Sequence, residues 1–259
     1  MDMIDLLAAV SDRAPNDNMR SVVAGLETRG EGAGLDRPHR LAQYVPQIAH
    51  ESGRFRYDRE VWGPTPAQKR YDTRTDLGNT AARDGDGFKN RGRTAMQITG
   101  GHNIREFRDW CREVVDPHAP DFVANPDLMN TDPWEGLGPI WYWETRKLNR
   151  YADQGDAEMV TRRINGGLNG FEDRLQLLDR TSLILLGYRP IDIRVFQDHA
   201  GLKVDGISGP RTRAAFHAAL LEVGATDSEP APNVSADALA RAERAEGKLR
   251  EIHHLSAGV

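Results

Sequence analysis

A mainly α-helical fold is what this sequence predicts, and three observations predict it. Apolar residues recur at three- and four-residue spacing in segment after segment of the 259-residue chain. Those segments are punctuated as helices are, with Asp or Pro near their starts and Gly or Pro after their ends. Apolar residues make up 39% and charged residues 28%, a balance that suits a soluble globular protein with one medium domain and one small one.

In chain order, residues 4–10 read as a short helix with Leu6, Leu7 and Val10 inward. Residues 16–28 read as a second, with Met19, Val22, Val23 and Leu26 at helical spacing. Gly30 to Gly34 form a loop. Asp36 reads as an N-cap with Pro38 in the first turn, where a missing N–H costs little. Leu41, Tyr44, Val45, Ile48 and Ala49 form the stripe that follows; Pro46 should kink it, and Ser52-Gly53 end it. Residues 54–90 show little periodicity and are rich in Arg, Asp, Gly and Thr. A stretch this long without regular structure is functional or disordered. Tyr57, Trp62, Tyr71 and Phe88 argue for order, either as core anchors or as apolar faces for a sugar ring.

Residues 105–115 form the next helix, with Phe107, Trp110, Val114 and Val115 inward. Residues 134–148 carry Leu137, Ile140, Trp141, Trp143 and Leu148 and read as a buried structural helix. A connector over 149–156 leads to a helix over 157–164, which runs into Asn165-Gly166-Gly167-Leu168-Asn169-Gly170. Arg174 starts another, with Leu175, Leu178, Leu183 and Leu186 inward, and Gly187 to Pro190 break it. In the compact segment beyond, Gly206 supplies a turn residue free to take positive φ, and Gly209-Pro210 open a helix continued by Ala214, Ala215, Ala218 and Leu221. Residues 224–234, with two prolines and several acids, read as a linker. Residues 235–259 read as a polar helix with a thin apolar seam.

Several function classes are disfavoured. Net charge is -5, so the chain has no overall basic footprint for nucleic acid. Cys111 is the single cysteine, which rules out an internal disulfide; it reads as a core residue of its helix. No run approaches the roughly 18 apolar residues of a membrane span, so no membrane insertion is expected. The start, Met1-Asp2-Met3-Ile4-Asp5, is acidic where a secretory signal would be basic. His50-Glu51 lacks a second His four residues on, and the eight histidines show no ligand spacing, so neither metal nor cofactor is expected. Asn165-Gly166-Gly167 lacks the Lys-Ser/Thr of a phosphate-binding loop.

The chemistry concentrates between Gln47 and Asn103. Glu51 ends an apolar-striped helix, where apolar surroundings would disfavour its charged form, as a general acid needs. Read alone, a Glu at a helix end is more often a solvated residue; its company changes that weighting. Glu60 lies nine residues further, not a same-face spacing on one helix, so a loop must bring it opposite Glu51. A Gly-rich turn then delivers Gln97, Thr99 and Asn103. This is equipment for acid–base hydrolysis of a sugar polymer.

Four separated motifs now resemble glycoside hydrolase family 19, and more closely its phage endolysin branch. They are His50-Glu51-Ser52-Gly53; Asp76-Leu77-Gly78-Asn79-Thr80; Gly92-Arg93 with Gln97-Ile98-Thr99-Gly100 and Asn103; and Ile164-Asn165-Gly166-Gly167-Leu168-Asn169-Gly170 with Asp173-Arg174. The match covers roughly residues 40–186 in the family's order. Val195-Phe196-Gln197 through Thr212 resembles the second half of a helical peptidoglycan-binding domain, with the helix ending at Tyr188 as a candidate partner. The resemblance implies a lysozyme-like, two-lobed helical catalytic domain over 1–186 and a small wall-binding module over 187–223. It implies Glu51 as general acid, Glu60 as base and Thr99 as holder of the water. Gln97, Asn103 and Asn165 would bind sugar or order the cleft, and Arg174 would be a supporting charge. The family inverts configuration, for which the carboxyls should stand about 6.5–9.5 Å apart. Thr94 stands where relatives usually have glycine, and Asp58 competes with Glu60 as base. The expected role is an endolysin acting on peptidoglycan glycan strands, with a chitinase or a non-catalytic wall-binding or virion protein as alternatives. A monomer is expected, held in the host cytoplasm until a holin-type pore admits it to the periplasm and wall.

Overall fold

A computed structural model describes residues 2–225. Among these residues every regular element is a helix, with two isolated backbone bridges and no strand. The described residues divide into two compact units: those up to Ala33 with Ile48–Thr145, and Gly34–Gln47 with those from Arg146 to Ala225.

The first unit holds α1 (Met3–Ser11) and α2 (Asp17–Arg29), whose N-cap Asn16 accepts from Met19 N at 3.0 Å. The third helix, α3 (Pro38–Glu51), crosses the division, which falls between Gln47 and Ile48. It begins one position later than Asp36 would cap: the Arg37 carbonyl accepts from Arg40 and Leu41, each at 3.0 Å. Residues 54–90 condense into short pieces: α4 (Pro66–Tyr71), a 3₁₀ turn at Thr75–Leu77 and α5 (Asp86–Lys89). None has a sustained apolar stripe; a Thr65–Gln68 capping box defines α4, whereas the other two have no side-chain cap.

Next, α6 (Gly101–Trp110) starts four residues before Arg105 and passes into a π turn at Cys111–Val115. Cys111 is buried, as expected of a core residue, and burial pushes its thiol pKa up. α7 (Trp134–Thr145) ends three residues short of Leu148, which is buried outside it. Leu137, Ile140, Trp141 and Trp143 are all buried on α7, confirming a structural helix. Phe107 of α6 stacks on Phe122 at 5.2 Å and meets the edge of Trp141 at 5.7 Å, while Phe122 meets Trp134 at 5.7 Å.

Glycines set how closely α2 and α7 approach. A Cβ on Gly136 would lie 1.9 Å from the Ser21 carbonyl oxygen and 2.7 Å from Gly25 N. Both obstacles are backbone and cannot rotate away.

In the second unit, α8 (Asn149–Ala152) interrupts the expected connector and α9 (Ala157–Asn165) follows. α10 (Phe171–Leu185) starts three residues before Arg174, because Phe171 is itself a core residue. α11 (Ile193–His199) and α12 (Pro210–Ala225) complete it. α12 runs two residues past 223; the rest of the 224–234 linker and the 235–259 helix lie outside the described residues. One apolar cluster joins Ala42 to Phe171, Leu175, Leu178 and Leu220. A second joins Leu183 to Phe196 and Phe216, with Leu186 and Tyr188 packed against it. The apolar core thus runs across residue 186, and the end of α10 partners α11 and α12.

Replacing Gly136 by Ala should cost about 2 to 3 kcal/mol. Denaturant unfolding should show a lower midpoint with an unchanged slope, and a wild-type midpoint would mean that the helices can move apart freely.

Candidate active site

Glu51 is the last residue of α3 and is half-buried. Directly after it, three consecutive residues adopt left-handed backbone: Gly53 (φ 61°), Arg54 (φ 62°) and Phe55 (φ 58°). For Arg54 and Phe55 this costs about 1–2 kcal/mol each. The turn is held from both ends. The Ser52 hydroxyl donates to Ile48 O at 2.6 Å and accepts from Phe55 N at 2.8 Å. The Phe55 carbonyl accepts from Asn16 and Asn18 side chains at 3.2 and 3.1 Å. The Phe55 ring is fully buried, worth about 1.5–3 kcal/mol. Burial and hydrogen bonds therefore offset the backbone strain.

The chain then reaches the second carboxylate. Asp58 is tied up: Arg59 donates to it from Nε at 3.0 Å and from Nη2 at 2.6 Å, and Asn130 Nδ2 donates at 3.2 Å. Glu60 is exposed, and its backbone is pinned: its N–H donates to Gly92 O at 2.9 Å and its carbonyl accepts from Arg91 Nε at 3.2 Å. The Glu60 Oε2 atom accepts from Gln68 Nε2 at 2.9 Å.

Gly92 leads into the Gly-rich turn. Arg93 and Ile98 exchange backbone bonds of 3.1 and 2.8 Å, closing a loop in which Thr94 (φ 64°) and Gln97 (φ 52°) are left-handed. A β-branched residue rarely adopts that conformation, which is the physical reason glycine suits position 94. Here Thr94 is buried, with its side chain against Gly138, where an added Cβ would come within 2.6 Å of Thr94 Oγ1. The Arg93 guanidinium, 1% exposed, donates to Asp127 at 2.7 Å and to the Lys89 and Arg91 carbonyls at 2.8 and 3.1 Å. Its hydrogen bond holds the Asp127 carboxyl below the usual range.

Gln97 and Thr99 converge on Gly92. A Cβ there would lie 2.6 Å from Gln97 Oε1 and 3.3 Å from Thr99 Oγ1. Thr99 Oγ1 donates to Gln97 O at 2.9 Å, which leaves its oxygen as an acceptor. Asn103 Nδ2 donates to Thr99 O at 2.8 Å. Glu60, Gln97, Thr99 and Asn103 are thus wired through Gly92 and one turn. The Asp76–Thr80 motif has a structural part: Asn79 Oδ1 accepts from Asn90 Nδ2 at 2.8 Å and Gly101 N at 3.3 Å, against the start of α6.

Asn165 and Arg174 belong to the second unit. Asn165 is the exposed last residue of α9, followed by Gly166 at φ 75°. Arg174 is buried and donates to Gln47 Oε1 at 2.5 Å, one turn before Glu51 along α3. Among the described residues no cluster of His, Cys, Asp or Glu could hold a metal ion.

Sequence reasoning missed Gln68, Asn130, Asp127 and Glu135: Asn130 and Asp127 make contacts across 72 and 34 residues, Gln68 reaches Glu60 from the short helix α4, and Glu135 is a lone acid in the first turn of α7. Glu135, in the first turn of α7, is 5% exposed, and its Oε1 has no hydrogen-bond partner among the described residues. Burial, then the charges of Asp58 and Asp132, push its pKa up to about 8; Arg59 opposes this and Asp17 adds to it.

No family model matches the chain. A Haemophilus influenzae protein described as a glycosyl hydrolase family 19 domain-containing protein is 32% identical over 184 residues, 61% of this chain and 86% of that protein. The fold resembles chitinase C from Streptomyces griseus, with a TM-score of 0.54 and 18% identity over 72% of this chain and 77% of that one. It also resembles a bacterial family 19 chitinase, with a TM-score of 0.54 and 19% identity over 72% of this chain and 95% of the other.

Two outcomes follow from this geometry. Gly92→Ala should lower turnover about ten- to a hundredfold by displacing Gln97 and Thr99, with the helical circular dichroism retained. Folded Glu135 stays protonated to about pH 8, whereas its ordinary value is 4.5, so the unfolded chain alone loses that proton in between. Stability should therefore fall as pH rises from about 4.5 to 8. Glu135→Gln should flatten this decline by a few kcal/mol in denaturant titrations across the window; parallel profiles for the two proteins would rule the effect out.

Proposed function

The chain belongs to glycosyl hydrolase family 19, and from that premise we propose that this glycosidase cuts the β-1,4 bonds of bacterial peptidoglycan by an inverting, two-carboxylate mechanism. Protonated Glu51 gives its proton to the glycosidic oxygen as the bond to the anomeric carbon breaks. A water on the opposite face attacks that carbon while ionised Glu60 takes its proton. The second hydrogen of that water is donated to Thr99 Oγ1, whose own proton is engaged on the Gln97 carbonyl. Gln97 and Asn103 order the sugar side of the turn. Asn165 and Arg174 serve as sugar-binding and supporting residues.

The observation that carries the mechanism is the pinning of Glu60 to Gly92, where Gln97 and Thr99 converge. The same geometry favours Glu60 over Asp58, whose carboxylate is neutralised by Arg59 and held by Asn130. Trp62, 80% exposed, and the exposed Tyr57 are no core anchors, and their rings suit stacking under pyranose faces.

Peptidoglycan is favoured over chitin by the segment around Gln197. Gln197 Nε2 donates to Asp205 Oδ1 and Ile207 O at 3.1 Å each, and its Oε1 accepts from Gly206 N at 2.8 Å. That side chain organises the turn between α11 and α12 that resembles a wall-binding module. In a phage setting the enzyme would serve lysis of the host. A chitinase on the same scaffold is the second reading, favoured by the family 19 chitinase whose fold this chain resembles.

The test is digestion of purified sacculi by wild type, Glu51→Gln and Glu60→Gln, read by mass spectrometry and reducing-end chemistry. Wild type should release products with new reducing ends, and each variant should lose at least about a hundredfold in rate. Hydrolysis of chitin oligomers but not sacculi would establish the chitinase instead. Anhydro-sugar products would replace hydrolysis with a lytic transglycosylase reaction.

A further inference from the structure

Gln68 stands outside every motif and yet touches the carboxylate assigned as base. It lies on α4, is 3% exposed, and spends its whole amide on the segment that carries Glu60. One Nε2 hydrogen goes to Glu60 Oε2 at 2.9 Å and the other to Trp62 O at 3.2 Å. Its Oε1 accepts from Thr65 N at 2.7 Å, while its own N–H is capped by Thr65 Oγ1 at 3.2 Å. This wiring defines the amide orientation. Flipping it would set an oxygen against a carboxylate and a carbonyl, and an NH₂ against an N–H. The loop closes tightly around the amide: a Cβ on Gly63 would come within 2.2 Å of Gln68 Oε1.

We infer that Gln68 is a positioning residue for the general base, holding the Glu60 carboxylate through Oε2 and the loop behind it through the Trp62 carbonyl. The inference rests on the assignment of Glu60 as base. Glu60 is exposed, and an exposed glutamate otherwise samples several rotamers. A base must keep one carboxylate oxygen within hydrogen-bond reach of the attacking water. Gln68 engages Oε2, while Oε1 takes no hydrogen bond from the described residues and is left for that water. An uncharged donor is suited to this task. It fixes one carboxylate oxygen without supplying a cation that would pair with the group and compete with the water.

The experiment compares wild type, Gln68→Met, Gln68→Glu and Glu60→Gln on whichever polymer wild type cleaves, measuring kcat, KM, the pH profile of kcat and Tm. Gln68→Met keeps the side-chain length and removes both donors. It should lower kcat about ten- to a hundredfold and leave KM within about twofold. Gln68→Glu places a second carboxyl beside Glu60 and should move the acid limb of the profile to higher pH. A silent Glu60→Gln would overturn the base assignment and this inference with it. An inactive Glu60→Gln beside a Gln68→Met with wild-type kcat would overturn the inference alone. If Gln68→Met fails to fold, Gln68→Glu decides, and an acid limb identical to that of wild type refutes the positioning role.

Discussion

The left-handed turn at Gly53, Arg54 and Phe55 is the constraint on which the candidate site depends. Glu51 is fixed by the end of α3, and Glu60 must be presented by a chain that has left the helix. A right-handed continuation would carry Glu60 along the same cylinder, about 100° per residue, and away from any shared cleft. Three residues of opposite hand stop the helix abruptly and start the chain toward Gly92. Only one of the three is glycine, so the reversal is maintained by tertiary contacts rather than by backbone preference. Ser52, the buried Phe55 ring and the two asparagines at the start of α2 supply them. Strain of this kind persists only where its surroundings over-determine it.

Beyond that turn, loops are stabilised chiefly by side chains whose polar atoms are nearly all engaged. Arg93 gathers two carbonyls and Asp127 beneath the Gly-rich turn. Asn79 draws Asn90 and Gly101 together, Gln68 fastens the segment of Glu60, and in the second unit Gln197 does the same for the turn before α12. Each of these side chains is buried, so an unmatched polar atom would cost about 1–3 kcal/mol. That cost makes such a network specific as well as stable, because a misplaced loop leaves several groups unsatisfied together. The irregular region from 54 to 100 is therefore ordered without long helices or strands.

The helical class, the burial of α7 and the family could be read from the sequence. Leu137, Ile140, Trp141 and Trp143 fall within two turns of a helix that is apolar nearly all round, and its burial follows from that composition. Boundaries were less legible. The start of α10 at Phe171 lies three residues before Arg174, although Phe171 stands four residues before Leu175 and seven before Leu178 and shares their cluster, so the stripe itself carried that signal. The α3 cap shifted from Asp36 to Arg37 because backbone geometry, rather than residue type, selected the first accepting carbonyl. The short helices between 54 and 90 were not legible, since four to six residues hold too few apolar positions to mark a face.

What the sequence determined by itself was the inventory: helices with apolar stripes, the carboxylates Glu51 and Glu60, and a turn carrying Gln97, Thr99 and Asn103. These are local properties, encoded in spacing and residue type. Only the tertiary structure decided how the inventory is arranged. It committed Asp58 to Arg59 and Asn130, turned Glu60 onto Gly92, buried Glu135 with a carboxyl oxygen unpartnered among the described residues, and set Gln68 against Glu60, a contact no motif announced. For the longest of these contacts the physical reason is chain separation. Asn130 reaches Asp58 across 72 residues and Arg93 reaches Asp127 across 34. Contacts of that range depend on packing, which periodicity and composition do not encode.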